Sequence, residues 1–456
     1  MKFYIKTFGC QMNVNESEIM TGLLENEGHE WTENPKNADV ILINTCSVRE
    51  KAENKMYGAI GSLGKSKKDG KKNVIIGVGG CSAEKEKEKI LNKFSTVDFV
   101  FGTRNVTDIV DLVERAKKGK RFLDFSDKLD DFTAHLPIRP SSKHHAWITI
   151  IHGCNKYCTY CIVPYTRGLE KSRKIDDILT EAKNYSEKGY REITFLGQNV
   201  DSYGKDFGDK KPKLHLLIEE TSKMDNIERI WFTTSYPTDI TDKLIQTVKN
   251  VPKAAKYFHL PVQSGSDKIL KKMNRKHTRK EYIEMVKKIQ SEVPYVTTTS
   301  DFIVGFPGET DEDFMQTVDL VKQCRYDKIN IAEYSPREGT IAEKYMEDDI
   351  PKHIKNKRFQ YLMNIQKEIN KEENLKYKDH ILRVIQESKT KSGKFLGRTI
   401  NNKVVMFDST ENLKGKFVDV YIERVSAGPL YGRIVKSEIE EDFEKEENYL
   451  KEVFGY

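Results

Sequence analysis

The run Gly153-Cys154-Asn155-Lys156-Tyr157-Cys158-Thr159-Tyr160-Cys161 constrains this chain more than any other stretch. It follows an apolar run, Ala146 to Ile151, that reads as a buried strand. Three cysteines spaced C-x3-C-x2-C therefore sit in a tight loop just past a strand end. Thiolates are ligands for soft metals and iron–sulfur clusters, and three on one loop converge on a point. A closed zinc site wants four ligands, and neither a fourth cysteine nor a well-spaced histidine follows nearby. The competing readings are a partial zinc knuckle and three buried thiols. Cysteines at such spacing in a reducing compartment more often bind metal or do catalysis. A cubane held by three cysteines also keeps one iron open for a substrate.

This motif, placed after a first barrel strand, resembles the signature of the radical S-adenosylmethionine (SAM) enzymes. The resemblance implies a [4Fe–4S] cluster on Cys154, Cys158 and Cys161, with the open iron chelating the amino and carboxylate groups of SAM. It also implies that Tyr160, the aromatic residue before the third cysteine, lies near the adenine.

At roughly 150 residues per domain, 456 residues suggest about three domains. Met1-Lys2-Phe3-Tyr4 runs directly into a strand pattern, so no signal peptide is expected. No apolar run approaches about 18 residues, so no membrane span is expected. Seven cysteines, in two groups of three plus Cys324, do not suit a disulfide framework. The expected compartment is the reducing cytoplasm. A net charge of +7 permits an RNA partner without arguing for one.

Residues 1–125 alternate short apolar runs with helical stretches, the pattern of an open parallel α/β domain. Three of the runs end alike. Phe3 to Gly9 leads into Cys10, Val40 to Thr45 into Cys46, and Val74 to Gly80 into Cys81. Ligand-binding groups in an open parallel sheet gather beyond the carboxyl ends of its strands. These cysteines can therefore meet although about 35 residues separate each from the next. A core cysteine placed by chance would sit mid-strand, so a second three-cysteine cluster is expected. Gly9, Gly79 and Gly80 are expected to let the backbone approach it.

Thr7-Phe8-Gly9-Cys10-Gln11-Met12-Asn13 and Asn44-Thr45-Cys46-Ser47-Val48-Arg49-Glu50 resemble the N-terminal motifs of the radical SAM methylthiotransferases. Gly-Cys-Gln-Met-Asn is the form of the branch acting on N6-isopentenyladenosine (dimethylallyladenosine) in tRNA. The run from Cys154 to Gly168 fits the same branch, and the resemblance covers nearly the whole chain.

Residues 126–145 read as a linker, and Lys65 to Lys72 as a solvated basic loop with RNA contact the minority reading. Residues 146–375 carry six apolar runs: Ala146–His152, Glu192–Leu196, Arg229–Thr234, Tyr257–Pro261, Val296–Val304 and Lys328–Tyr334. Six β/α repeats are too few for an eight-stranded barrel and match the partial (β/α)6 barrel of the radical SAM enzymes. Catalytic groups of β/α barrels lie at the carboxyl ends of strands. Gln198, Asn199, Ser235, Gln263, Ser264, Gly305 and Glu309 stand there and are expected to meet SAM, with ordinary turn chemistry the competing reading. Many radical SAM enzymes carry Gly-Gly-Glu after the second strand, where this chain has Gly197-Gln198-Asn199. Arg167 and Arg275, with Arg173 and Arg279, stand near motif ends, where a guanidinium suits phosphate. Arg167 and Arg275 are expected to contact RNA.

Residues 376–436 change to five short strand patterns, a small all-β barrel that resembles the TRAM domain ending the methylthiotransferases. They hold 13 Lys and Arg against 6 Asp and Glu, with aromatics interleaved. That composition suits RNA. Arg398, Lys403 and Arg433 are the expected phosphate partners and Phe395 a stacking residue. Residues 437–456 form an acidic tail.

The resemblance implies insertion of a methylthio group at C2 of N6-isopentenyladenosine beside the anticodon. It implies two [4Fe–4S] clusters and two SAM molecules per turnover. One SAM methylates a sulfur on the cluster of Cys10, Cys46 and Cys81. The other is cleaved reductively at the second cluster, giving a radical that opens C2. The implied partners are the tRNA anticodon stem-loop and an electron donor such as flavodoxin or ferredoxin, and the chain is expected to act as a monomer. The alternatives are the same chemistry on threonylcarbamoyladenosine or a ribosomal protein, and a non-catalytic RNA-binding iron–sulfur sensor.

Overall fold

Three parallel strands ending side by side organise the N-terminal domain. A computed structural model describes residues 1–47, 50–68, 73–125 and 136–435 of the protein. The first sheet holds β1 (Lys2–Thr7), β2 (Glu30–Trp31), β3 (Val40–Thr45), β4 (Ile75–Gly80), β5 (Phe99–Phe101) and β6 (Phe122–Asp124) in the order β2-β1-β3-β4-β5-β6. Every pair is parallel. Every residue of β3 is buried, as a central parallel strand covered on both faces must be. Helix α1 (Gln11–Asn26) and the helix Ile109–Lys117 close one face, and Met56, Ile60, Ala83 and Ile90 pack on the other.

The central domain carries β7 (His145–Thr149), a short antiparallel ribbon of β8 (Ile151–His152) and β9 (Lys171–Ser172), then β10 (Glu192–Leu196), β11 (Arg229–Phe232), β12 (Tyr257–His259), β13 (Thr297–Val304) and β14 (Lys328–Glu333). The barrel strands form two parallel triplets, β7-β10-β11 and β12-β13-β14. A parallel bridge from Ile230 to Ala254 lies between them. All six expected barrel runs are strands, and they enclose a core that includes Ile148, Phe195, Phe232, Phe258 and Phe302.

The third unit is a closed barrel of β15 (Ile381–Lys389), β16 (Phe395–Arg398), β17 (Val404–Asp408), β18 (Phe417–Arg424) and β19 (Leu430–Ile434). It is seated on the central domain and not tethered loosely. Arg229, 1% exposed, donates to the carbonyls of Arg398 and Arg383. The ring of Phe417 lies within 5 Å of the guanidinium carbons of Arg191, Arg229 and Arg383.

The described part of the linker is also docked. Arg139 N–H donates to the Glu18 carbonyl, and Ser141 N–H to the Glu18 carboxylate at 2.7 Å. A side chain on Gly22 of α1 would strike the Pro137 carbonyl, so glycine is required for that approach. Residues 126–135, part of the basic run and the acidic tail lie outside the described residues.

Candidate functional site

Because β1, β3 and β4 are neighbours, Cys10, Cys46 and Cys81 emerge at one sheet edge. Strands lie about 4.8 Å apart, which sets the spacing of the three exits. The register pairs Thr7 with Asn44 and Thr45 with Gly80, so the strands also end level. Cys10 is the N-cap of α1. Asn13, one turn on, accepts from the Cys10 N–H and thiol through Oδ1. Its Nδ2 donates to Asn44 Oδ1 and to the Thr45 carbonyl, each at 3.1 Å. Asn44 returns a bond to the Asn13 carbonyl at 2.9 Å. The asparagines of the two sequence motifs thus clamp two cysteine turns together. Gly9, at φ 134°, would place a Cβ against Cys46 and Asn13, so the close approach requires glycine there. Gly79 serves differently: its missing side chain makes room for the Phe101 ring.

The second trio lies on the loop between β8 and β9. Cys154 N–H donates to the Gly168 carbonyl and Cys161 N–H to the Cys158 carbonyl. Gln198 accepts from Gly153 N–H at 2.7 Å, anchoring the loop entrance. Asn274 donates to the carbonyls of Lys156 and Tyr157, and Thr159 donates through Oγ1 to the Lys272 carbonyl. Lys156, inside the loop, pairs with Asp239 at 2.6 Å. Tyr160 packs edge-on to Phe306, which in turn packs on Tyr334.

Each trio has a buried guanidinium against one sulfur. Arg167 Nε lies 3.2 Å from Cys81 Sγ, and Arg275 Nη1 lies 3.7 Å from Cys158 Sγ. Burial pushes the Cys81 thiol up to about 12 against the pull of Arg167, with Glu16, Cys46 and Cys10 adding to the rise. Burial likewise pushes Cys161 up to about 12, helped by Cys158, and Cys154 to about 11. Among the described residues, no three His, Cys, Asp or Glu side chains are already closed into a metal-ligand set. The donor sets nevertheless fit soft-metal clusters. Each is three thiols at one strand-end position, with a cation to offset the charge of thiolate ligands.

The two trios belong to domains packed face to face. Asn15 of α1 donates to the Trp147 carbonyl at 3.0 Å and accepts from Thr149 at 2.8 Å. The helix that follows Cys10 therefore lies on the strand that precedes Cys154.

Several expected contacts are corrected here. Arg167 and Arg275, expected to contact RNA, face the protein interior. Both are buried, the first paired with Glu16 and the second stacked 4.1 Å from the Tyr236 ring centroid. Lys403 is buried against Asp327, and Phe395 is in the core of the C-terminal barrel, because its strand turns that face inward. Arg398 is half-buried and bound to Glu387 and Asn402. Arg433 is exposed and pairs with Glu423 at 3.0 Å. Asn199 donates to Asp239 at 2.6 Å, and Glu309 accepts from Gly305 N–H and Arg358. Both are buried in protein contacts that a SAM ligand would have to replace. Ser235, Gln263 and Ser264 are buried at strand ends, Gln263 at φ 77°. Sequence reasoning missed Glu16, Lys156 and Asp239, although Lys156 stands inside the cysteine motif.

A family model described as an uncharacterized protein family, UPF0004, matches residues 2–102. The radical SAM superfamily matches residues 148–321 and the TRAM domain residues 376–435. The chain is 68% identical over 438 residues to the tRNA-2-methylthio-N(6)-dimethylallyladenosine synthase of Petrotoga mobilis, spanning 96% of this chain and 100% of that protein. The chain belongs to this synthase family. A synthase of the same name from Sulfurihydrogenibium sp. is 43% identical, with 95% and 99% of the two chains covered. Membership makes the chain a radical SAM enzyme of the methylthiotransferase kind. Among solved structures, the radical SAM methyltransferase TsrM from Kitasatospora setae superposes with a TM-score of 0.55 at 11% identity, over 73% of this chain and 72% of that one. That likeness is one of fold. No helix among the described residues is long and apolar enough to cross a membrane.

Proposed function

We propose that the chain inserts a methylthio group at C2 of N6-isopentenyladenosine next to the anticodon of tRNA. The observation that carries the reading is the packing of two cysteine trios, each at a strand end, across one domain interface. Family membership supports the same substrate. Cys154, Cys158 and Cys161 would hold one [4Fe–4S] cluster, and Cys10, Cys46 and Cys81 the other. When bound, the clusters with two SAM molecules per turnover supply the radical and methyl chemistry that an unactivated aromatic C–H bond demands. The protein's own residues then do three things. Gln198, Asn274 and Thr159 fix the backbone of the central cysteine loop. Asn13 and Asn44 fix the turns of Cys10 and Cys46. Burial of Cys46, Cys81 and Cys158 keeps water from those three sulfurs, whereas Cys10 is exposed. Electrons would come from a flavodoxin or ferredoxin, and the enzyme would act as a cytoplasmic monomer on the anticodon stem-loop.

Mass spectrometry of tRNA nucleosides tests the reading. Cells lacking the gene should accumulate isopentenyladenosine without its methylthio group, and the cloned gene should restore the modification. Unchanged methylthiolation in the deletion strain would reject it. Loss of a methylthio group from threonylcarbamoyladenosine instead would favour the sibling branch.

A further inference from the structure

Arg167 lies six positions beyond Cys161, at the end of the short helix Val163–Arg167 in the central domain. Its guanidinium is nevertheless spent on the N-terminal domain. Nε donates to Cys81 Sγ at 3.2 Å, and Nη1 pairs with Glu16 Oε1 at 2.5 Å. The two side chains are 4% and 3% exposed. Beside them, Thr103 Oγ1 donates to the Thr166 carbonyl at 3.0 Å and pins the helix to the N-terminal domain. The remaining nitrogen, Nη2, is buried and has no partner among the described residues. An unsatisfied buried N–H of a charged group is costly, so the arrangement calls for a missing acceptor. Nη2 shares one edge of the planar guanidinium with Nε, which donates to Cys81 Sγ, so an acceptor on that edge lies with whatever Cys81 binds.

We propose that Arg167 is a positioning residue for the iron–sulfur cluster of Cys10, Cys46 and Cys81, donating N–H···S bonds to it from the neighbouring domain and raising its reduction potential, with Glu16 opposing that effect. The inference rests on the two-cluster reading above. Hydrogen bonds to cluster sulfur and nearby charge set the potential of such centres. A fixed cation favours the more negative, reduced state, and the Glu16 carboxylate cancels part of that charge. The same helix begins immediately after Cys161, with Ile162 as its N-cap. One short segment therefore joins the two centres, and the second is tuned only while the domains are docked.

The test uses full-length protein reconstituted anaerobically, without tRNA or turnover. Wild type, R167Q, R167K and E16Q are compared by iron and sulfide content and by redox titration followed by electron paramagnetic resonance. The same set is then made with Cys154, Cys158 and Cys161 changed to Ala, so that only the cluster in question remains. That cluster's potential should fall in R167Q, recover in part in R167K and rise in E16Q. The other cluster should stay where it is in wild type. Unmoved potentials in both R167Q and E16Q at full iron would overturn the proposal. If R167Q fails to hold iron, E16Q decides alone, and an unmoved potential there overturns it. Wild-type protein holding about four irons in place of about eight would instead overturn the two-cluster reading, and this inference with it.

Discussion

Lys403 of the C-terminal barrel pairs with Asp327 of the central domain at 2.5 Å, with side chains only 9% and 17% exposed. Lys403 also donates to Asn374 at 2.9 Å, at the end of the helix Lys352–Leu375 that connects the two units. The lysine is a domain fastener. Removing one member of a buried pair leaves the other charge uncompensated, at a cost of roughly 3–5 kcal/mol. Lys403→Ala should therefore lower stability toward urea by about that much while leaving the salt dependence of tRNA binding unchanged. A normal urea midpoint with weaker, less salt-sensitive tRNA binding would restore Lys403 as a phosphate contact.

One face of the C-terminal barrel, formed by β18 and β19, carries two exposed arginines, each beside a tyrosine ring. Arg424 lies 3.7 Å over the Tyr431 ring and Arg433 lies 5.4 Å from the Tyr421 ring, and both arginines are exposed. Rings carrying a cation offer stacking and phosphate neutralisation together. The double variant R424E/R433E should lose tRNA affinity, and its log–log salt slope should be shallower by about 2. Stability should change by less than about 1 kcal/mol, because exposed substitutions cost little. An unaltered slope would move the RNA contact to another face.

The parallel strands and strand-end cysteines are legible in the sequence because buried parallel strands demand unbroken apolar runs. Val40–Ile43 is such a run, and the polar Asn44 and Thr45 mark its end. The direction of a long side chain is not legible in this way. Arg167, Arg275 and Lys403 stand in or near turns, where charge ordinarily goes to solvent, yet each is turned inward by a partner far away in sequence. Glu16, Cys158 and Asp327 are those partners. Phe395 and Tyr421 differ only in which face of the barrel they occupy, and strand alternation settles that only once the register is known.

Two cysteine trios on separate domains should load independently. Reconstituted wild-type protein should carry about eight irons, and the triple variant C154A/C158A/C161A about four. That variant should no longer cleave SAM. The variant C10A/C46A/C81A should also carry about four irons, should still cleave SAM, and should make no methylthiolated tRNA. Full iron in either variant would show that its trio is structural.

Asp201 gives the fold a pH dependence of definite sign. It is 2% exposed and accepts the Tyr236 N–H at 3.2 Å. Burial pushes its carboxyl up to about 7, opposed by the neighbouring Ser235 hydroxyl and reinforced by the charge of Asp239. Asp239 itself is held low, since Lys156, Lys205 and Asn199 outweigh its own burial. An unfolded aspartate ionises near pH 4, whereas folded Asp201 keeps its proton until about pH 7. Between those values the unfolded chain binds fewer protons, so Asp201 makes stability fall as pH rises from about 4 to about 7. Asn at this position keeps an acceptor for the Tyr236 N–H and cannot ionise. D201N should match wild type near pH 4.5 and exceed it at pH 8, by on the order of 3–4 kcal/mol. Urea unfolding of both proteins at the two pH values measures the difference. A gap that did not grow with pH would mean that Asp201 is ionised in the folded protein at low pH, held by the same lysines that hold Asp239.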